Sequence, residues 1–156
     1  MAEIILRTAT LNDLDTLLSF EQGIITAERP FDPTLKPGHI NYYDIAAMIT
    51  TPDVEVVVAC AGAEIIGSAY ARVETSKIYL KHSRHAYLGF MFVRPDHRGQ
   101  GINQLIINYL KEWAISNNIS ELRLEVYNDN LPAIKAYERV GFQKLLILMR
   151  MGTGEI

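Results

Sequence analysis

Arg98-Gly99-Gln100-Gly101 follows an apolar run, Tyr87 to Val93, and precedes an amphipathic one. Strand, glycine-rich loop and helix in that order present main-chain N–H groups to a phosphate. Glycines let the backbone approach a ligand and take positive φ. The helix N-terminus adds partial positive charge, and Arg98 adds a full charge on a planar fork of donors. The chemistry on offer is the holding of a pyrophosphate. The string lacks the Lys-Ser/Thr that follows the glycines of a P-loop. It also lacks the third glycine of a dinucleotide fingerprint, because Gln104 stands there. Taken alone, the loop reads equally well as a plain strand-to-helix turn.

A second group of residues lies further along: Asn130, Ala133, Tyr137 and Gly141-Phe142. Asn130 and Tyr137 are seven residues apart, about two helical turns, so they share a face. Ala133 between them leaves room for a ligand, and a phenol there could protonate a leaving group. The same spacing also suits a helix cap followed by an amphipathic core residue.

The elements that must position these groups are read from periodicity and breakers. Glu3 to Arg7 is a first strand, and Thr10 to Asp13 has the spacing of a capping box ahead of a helix to Glu28. Pro30, Pro33, Pro37 and Gly38 break the chain, and Asn41 to Thr50 forms a second short helix. Val54 to Ala61 and Glu64 to Val73 form a hairpin, with Gly67 at a bulge. A polar, basic loop, Thr75 to Arg84, leads to the strand Tyr87 to Val93. A helix from Ile102 to about Asn117, a strand from Leu122 to Tyr127, a helix from Leu131 to about Val140 and a last strand from Phe142 to Met151 follow. The pattern is βααβββαβαβ, an α/β chain with a mixed sheet. Strand, helix and strand in the second half make a crossover unit, whose two strands lie parallel.

The 156 residues suit one domain, 1–156, with one core. Hydrophobic residues make up 49% and charged residues 21%, as in an ordinary globule. A net charge of −3 gives no reason to expect nucleic-acid binding, and no apolar run suits a membrane span. The stretch MAEIILRTAT has no leader-like pattern, so a cytoplasmic location is expected. One cysteine, Cys60, sits in an apolar strand and reads as core, and four scattered histidines suggest no metal site.

Together, Arg98-Gly99-Gln100-Gly101-Ile102-Asn103 and the Asn130…Ala133…Tyr137…Gly141-Phe142 helix resemble the two motifs of the GNAT superfamily of N-acetyltransferases. The element order resembles that family over nearly the whole chain, and the specific motifs lie between Phe90 and Phe142. One departure is Asn103, where the family's loop ends on a small residue. The resemblance implies an acyl-CoA N-acyltransferase fold with two parallel strands splayed around the cofactor cleft. It implies acetyl-CoA as co-substrate, with no metal. It assigns pantetheine pairing to the main chain of Phe92 and Val93. Pyrophosphate binding falls to Arg98, Gly99, Gln100, Gly101, Ile102 and Asn103, and a pantetheine contact to Asn130. Tyr137 becomes the general acid near the thioester sulfur.

Some members use a carboxylate base on the strand before the loop, but Leu88, Gly89 and Phe90 stand there. Glu125 on the following strand is the leading candidate, with Glu28, His82 and His85 behind it. The acceptor is a primary amine, on a small molecule or a peptide or protein. It is expected between Glu28–Tyr43, which offers Glu28, Asp32, Tyr42 and Tyr43, and Thr75–Arg84. In the second segment Lys77, Lys81 and Arg84 could hold a carboxylate or the 3′-phosphate of CoA. A homodimer is left open. The rival reading is an acyl-CoA sensor on the same fold that performs no chemistry; a nucleotide-dependent phosphotransferase is disfavoured by the missing Lys-Ser/Thr.

Overall fold

The computed structural model describes residues 3–154. Its elements are β1 (Ile4–Thr8), α1 (Leu14–Glu28), α2 (Ile45–Thr50), β2 (Val54–Ala61), β3 (Glu64–Thr75), β4 (Arg84–Val93), α3 (Ile102–Ser116), β5 (Leu122–Arg123) and α4 (Leu131–Arg139). The strands form one sheet in the order β1-β2-β3-β4-β5. The first four are antiparallel and β4 runs parallel to β5, as the crossover through α3 requires. Among the described residues no helix is long and apolar enough to cross a membrane.

The central strands are mostly apolar in their middles, Val56–Cys60, Ile65–Ala71 and Ala86–Val93, because both faces of the sheet are covered there. Val57, Ile66 and Leu88 face α3, where Ile106 and Leu110 meet them. Val58, Tyr70 and Phe90 face the other way, onto Leu17, Phe20 and Ile45 of α1 and α2. The capping motif is present in a tightened form: Leu11–Asp13 is a 3₁₀ turn ahead of α1. The Thr10 N–H donates to Asp13 Oδ2 at 2.8 Å, and Arg7 clamps the same carboxylate at 2.8 and 2.9 Å. Hydrogen bonding to that guanidinium holds Asp13 below the usual carboxylate range.

Two features of β4 shape the cleft. The first is its separation from β5. Among the described residues the two strands pair only at Ala86–Leu122 and Tyr87–Arg123, so no strand pairs with the β4 edge beyond Tyr87. The second is a bulge. Ser68 pairs with Phe92 but Tyr70 pairs with Gly89, so Phe90 and Met91 together oppose Ala69. Phe90 carries φ +56°, a left-handed conformation uncommon for a bulky residue. Its buried ring rests 5.5 Å from that of Tyr43, and its carbonyl accepts from Ser68 Oγ at 3.3 Å. Gly89 is needed beside this bulge, because a Cβ there would stand 2.6 Å from the Tyr70 ring.

Several expected boundaries move. The second helix begins at Ile45 rather than Asn41, capped by Asp44, whose carboxylate accepts from the Ala47 N–H at 3.1 Å. The hairpin bulge lies on β3, where Ile66 is the extra residue between Gly67, opposite Ala59, and Ile65, opposite Cys60, so it adjoins the glycine expected to mark it. The strand expected to reach Tyr127 stops at Arg123, since β4 has turned away and offers no ladder. The last expected strand, Phe142–Met151, joins no sheet. Its residues have strand composition, but among the described residues no strand lies against them.

Candidate active site

The bulge decides which main-chain groups face the opening between β4 and β5. Arg94 donates its N–H to Ile66 at 2.8 Å, so Arg94, and by alternation Phe92, turn their main chains towards β3. Met91 and Val93 therefore point outward. The main chain of Phe92, expected to pair with pantetheine, thus faces β3, and its ring lies 4.5 Å from the ring of Phe20. The Val93 carbonyl does face outward, where Arg98 Nε donates to it at 3.0 Å.

The loop after β4 turns into α3 through two left-handed glycines, Gly99 at φ +76° and Gly101 at φ +81°. An added Cβ at either would meet no atom within 4 Å, so the space in front of this backbone is open. The N–H groups from Gly99 to Gln104 donate to no acceptor among the described residues; the first helical bond of α3 is Leu105 N–H to Gly101 C=O, at 3.2 Å. Exposed Arg98, Gly99, Gln100 and Gly101 flank that row. Ile102 spends its side chain in the core and adds only its N–H. Asn103 is half-buried, and its Oδ1 is a buried acceptor without a partner among the described residues. A row of unpaired N–H groups at a helix N-terminus suits a pyrophosphate, so the residues present fit the diphosphate of CoA.

Asn130 caps α4, its Oδ1 accepting from the Ala133 N–H at 3.4 Å. Tyr137 is half-buried on the same helix, its ring 5.9 Å from Phe142 in an edge contact. Its Oη makes no hydrogen bond among the described residues. Burial, followed by the charge of Glu28, pushes its pKa up to about 12. Glu28 ends α1 on the far side of the cleft. Burial raises its pKa, against the pull of the Tyr42 phenol. Its charge is felt at Tyr42 and Tyr127 as well as at Tyr137.

Of the base candidates, then, the chain brings Glu28 rather than Glu125 towards Tyr137. Glu125 is exposed and lies by the other aromatic wall, where burial and then its charge raise Tyr87. His82 and His85 stand at the opposite end of β4 from the glycine loop. His85 is buried, with Nδ1 2.8 Å from Ser76 Oγ, and His82 Nε2 lies 3.2 Å from Glu121. Arg84 is at that end too, donating to the Asn117 carbonyl at 2.9 Å. The 15 residues of α3 separate it from Gly101 by about 22 Å. The basic segment Lys77–Arg84 is thus not placed for the 3′-phosphate of a CoA held at Gly99–Gln104.

Glu21 had no sequence signal beyond a polar residue in a helix. It is fully buried, and its Oε2 accepts from the N–H groups of both Tyr42 and Tyr43 at 2.8 Å. It thereby fixes the loop after α1, so that the Tyr43 ring packs 5.6 Å from Tyr70. A fully polar residue inside an amphipathic helix carries no mark of which face it occupies until the neighbouring loop is folded over it.

A family model described as the acetyltransferase (GNAT) family matches residues 22–142. The chain is 30% identical over 125 residues to acetyltransferase SG1711 of Sodalis glossinidius, covering 80% of each protein. It is 31% identical over 84 residues to a streptothricin acetyltransferase of Escherichia coli, covering 54% of this chain and 47% of that one, so it spans about half the length of that relative. In fold it is similar to a tetramutant of the BH1408 protein of Bacillus halodurans, with a TM-score of 0.84 at 18% identity over 95% of this chain and 99% of that one.

Proposed function

The chain belongs to the acetyltransferase (GNAT) family, and on that premise we propose that it transfers the acetyl group of acetyl-CoA to a primary amine. The observation that carries this reading is the unpartnered row of N–H groups from Gly99 to Gln104, set at the end of an unpaired strand edge. The row offers a diphosphate site. The edge offers the Met91 and Val93 main chains to an extended, amide-bearing arm, as to an added strand. Acetyl-CoA, when bound, supplies the activated acyl carbon as a thioester.

The chain's own groups then divide the work. An outward N–H of Met91 or Val93 donates to the carbonyl oxygen as that oxygen gains charge. The amine nitrogen bonds to the carbonyl carbon, the carbon–sulfur bond breaks, and Tyr137 Oη gives its proton to the departing thiolate. Glu28 takes the proton that the amine sheds. Holding both reactants in the cleft removes much of the entropic barrier.

The acceptor wall supports a cationic amine. Tyr42, Tyr43, Tyr70 and Tyr87 line it with rings, and Glu28 and Glu125 give it negative charge. A small-molecule acceptor is in keeping with the name of the Escherichia coli relative. The test is release of CoA thiol over a panel of amines, run beside CoA binding. Turnover with at least one cationic amine is expected. Tight acetyl-CoA binding with no turnover on any amine would favour the sensor reading instead.

Glu28→Gln tests the base separately. The wild-type carboxyl titrates above the ordinary carboxylate range, so activity should rise with pH across that raised window. The variant should lose that acidic limb and about 10²-fold in kcat/KM for the amine, with CoA affinity unchanged. Its stability should not fall at neutral pH. A raised carboxyl pKa means the folded state binds the proton more tightly, so ionisation above the window costs stability, and the amide avoids that cost. An unaltered pH profile would remove Glu28 from the chemistry.

A further inference from the structure

Arg72, Tyr87 and Arg123 stand in cross-strand register on β3, β4 and β5. Leu122 and Leu124 pack on the α3 side of the sheet, so Arg123 turns to the opposite face, the one that carries Tyr70 and Tyr87. The guanidinium carbon of Arg72 lies 4.8 Å from the centre of the Tyr87 ring and 5.7 Å from that of Tyr70. Each arginine spends its Nε on a carboxylate, Arg72 on Glu74 Oε2 at 2.6 Å and Arg123 on Glu121. Neither makes a hydrogen bond through Nη among the described residues. Arg72 is also held from behind. Glu74 Oε1 lies 3.3 Å from Nε2 of buried His85, whose Nδ1 lies 2.8 Å from Oγ of buried Ser76. These contacts fix a half-exposed guanidinium and leave its Nη edge, a planar fork of N–H donors, for a ligand.

Such a fork suits a carboxylate. The face is not basic as a whole, however. Glu74 and Glu121 already match the two arginines, and Glu125 beside Tyr87 is a third carboxylate. A lone anion would meet surplus negative charge there, whereas a carboxylate accompanied by an ammonium would not. From Tyr87 the rings of Tyr70, Tyr43 and Tyr42 follow one another at 6.4, 5.6 and 5.8 Å, as far as the phenol beside Glu28. Along β4 the step from Tyr87 to Phe90 is about 10 Å, which an alkyl chain of lysine length and the reach of an arginine side chain together cover. Resting on the transferase reading above, we infer that the acceptor is a free diamino acid. Its α-carboxylate lies on the Nη edge of Arg72, its α-ammonium on the side of Glu125, and its methylenes along the tyrosine wall. Arg123, across Tyr87, keeps Glu121 matched, so Glu125 is the carboxylate left for the ammonium. The terminal amine nitrogen bonds to the acetyl carbon as the carbon–sulfur bond breaks. Its proton goes to Glu28, and the thiolate takes that of Tyr137.

Release of CoA thiol is followed with lysine, with cadaverine (the same diamine without the carboxylate) and with Nα-acetyl-lysine, which lacks the ammonium. Lysine should exceed each of the others in kcat/KM by about 30-fold, the effect of one hydrogen-bonded charge, chiefly through KM. Arg72→Gln should bring lysine and cadaverine level. Glu74→Gln, which releases the guanidinium without removing it, should close part of that gap. Glu125→Gln should close the gap to Nα-acetyl-lysine and keep the one to cadaverine. Ratios within one variant do not depend on how much of it is folded. Calorimetric titration of lysine and cadaverine into the CoA-saturated protein reads the same discrimination without chemistry. Preferential binding of lysine with no turnover of any amine would therefore support the site and count against the transferase reading. Equal kcat/KM and equal affinity for lysine and cadaverine overturn the proposal. So does a gap that survives Arg72→Gln, or a failure of lysine to bind at tens of millimolar.

Discussion

Gly101→Val should weaken CoA binding by about 100-fold or more while leaving the protein folded. Gly101 sits at φ +81°, and a Cβ there would meet nothing of the protein within 4 Å. The added methyls therefore enter the open space in front of the unpartnered N–H groups, where a diphosphate would lie. A hydrogen bond to a charged group contributes about 1.5–3 kcal/mol. Losing one or two of them gives the stated loss. The left-handed φ adds backbone strain of about 1–2 kcal/mol, which lowers the melting temperature without bearing on the ligand. Gly62→Val separates the two effects. Gly62 has φ +61° and equally open surroundings, but it lies in the β2–β3 turn. It should cost similar stability and leave CoA affinity intact. Titration calorimetry with CoA and thermal melts on both variants make the comparison. A Gly101→Val protein that binds CoA as tightly as the wild type would end the assignment of this loop.

That loop was readable from sequence because each part of it has a local cause. Glycines mark positive φ, and a helix start leaves N–H groups unpaired wherever it occurs. The cap at Asn130 and the parallel crossover through α3 were readable for the same reason. What sequence did not carry was anything set by pairing. With the bulge at Phe90–Met91, the outward main-chain groups are those of Met91 and Val93 rather than Phe92 and Val93. No residue type announces it, since a phenylalanine at positive φ is a cost met by packing against Tyr43 and the bond from Ser68. The run Leu145–Met149 has the composition of a strand, but a strand exists only where another lies beside it, and among the described residues none does.

Charge placement was legible only in part, for a related reason. Glu125 attracted attention because it alternates with apolar residues on a strand next to the cleft. Glu28 was one acidic residue among several in a loop broken by prolines. The loop folds back because buried Glu21 holds the N–H groups of Tyr42 and Tyr43, and because Phe31 stacks 5.8 Å from Tyr127. Those contacts span distances in sequence that no periodicity reports. They bring the Glu28 carboxylate to a cluster of phenols, where removal from water raises its proton affinity.

Tyr137→Phe should lower kcat by about 10²-fold or more, with the dissociation constant of acetyl-CoA unchanged. The substitution removes one oxygen that makes no hydrogen bond among the described residues. The ring keeps its edge contact with Phe142, so neither the helix nor the cleft has cause to move. What is lost is a proton. With its pKa pushed up to about 12 by burial and by Glu28, the phenol is protonated throughout the neutral range and can meet a thiolate as it leaves. The same shift fixes the pH signature. Tyr137 should produce no basic limb as pH rises to the ordinary tyrosine pKa of about 10, and the variant should be depressed by the same factor across that range. A merely structural tyrosine would instead move the melting temperature or the KM for acetyl-CoA. Steady-state kinetics with saturating amine, together with CoA titration, separate the outcomes. Undiminished kcat in Tyr137→Phe would remove the general acid and leave the thiolate to depart unaided.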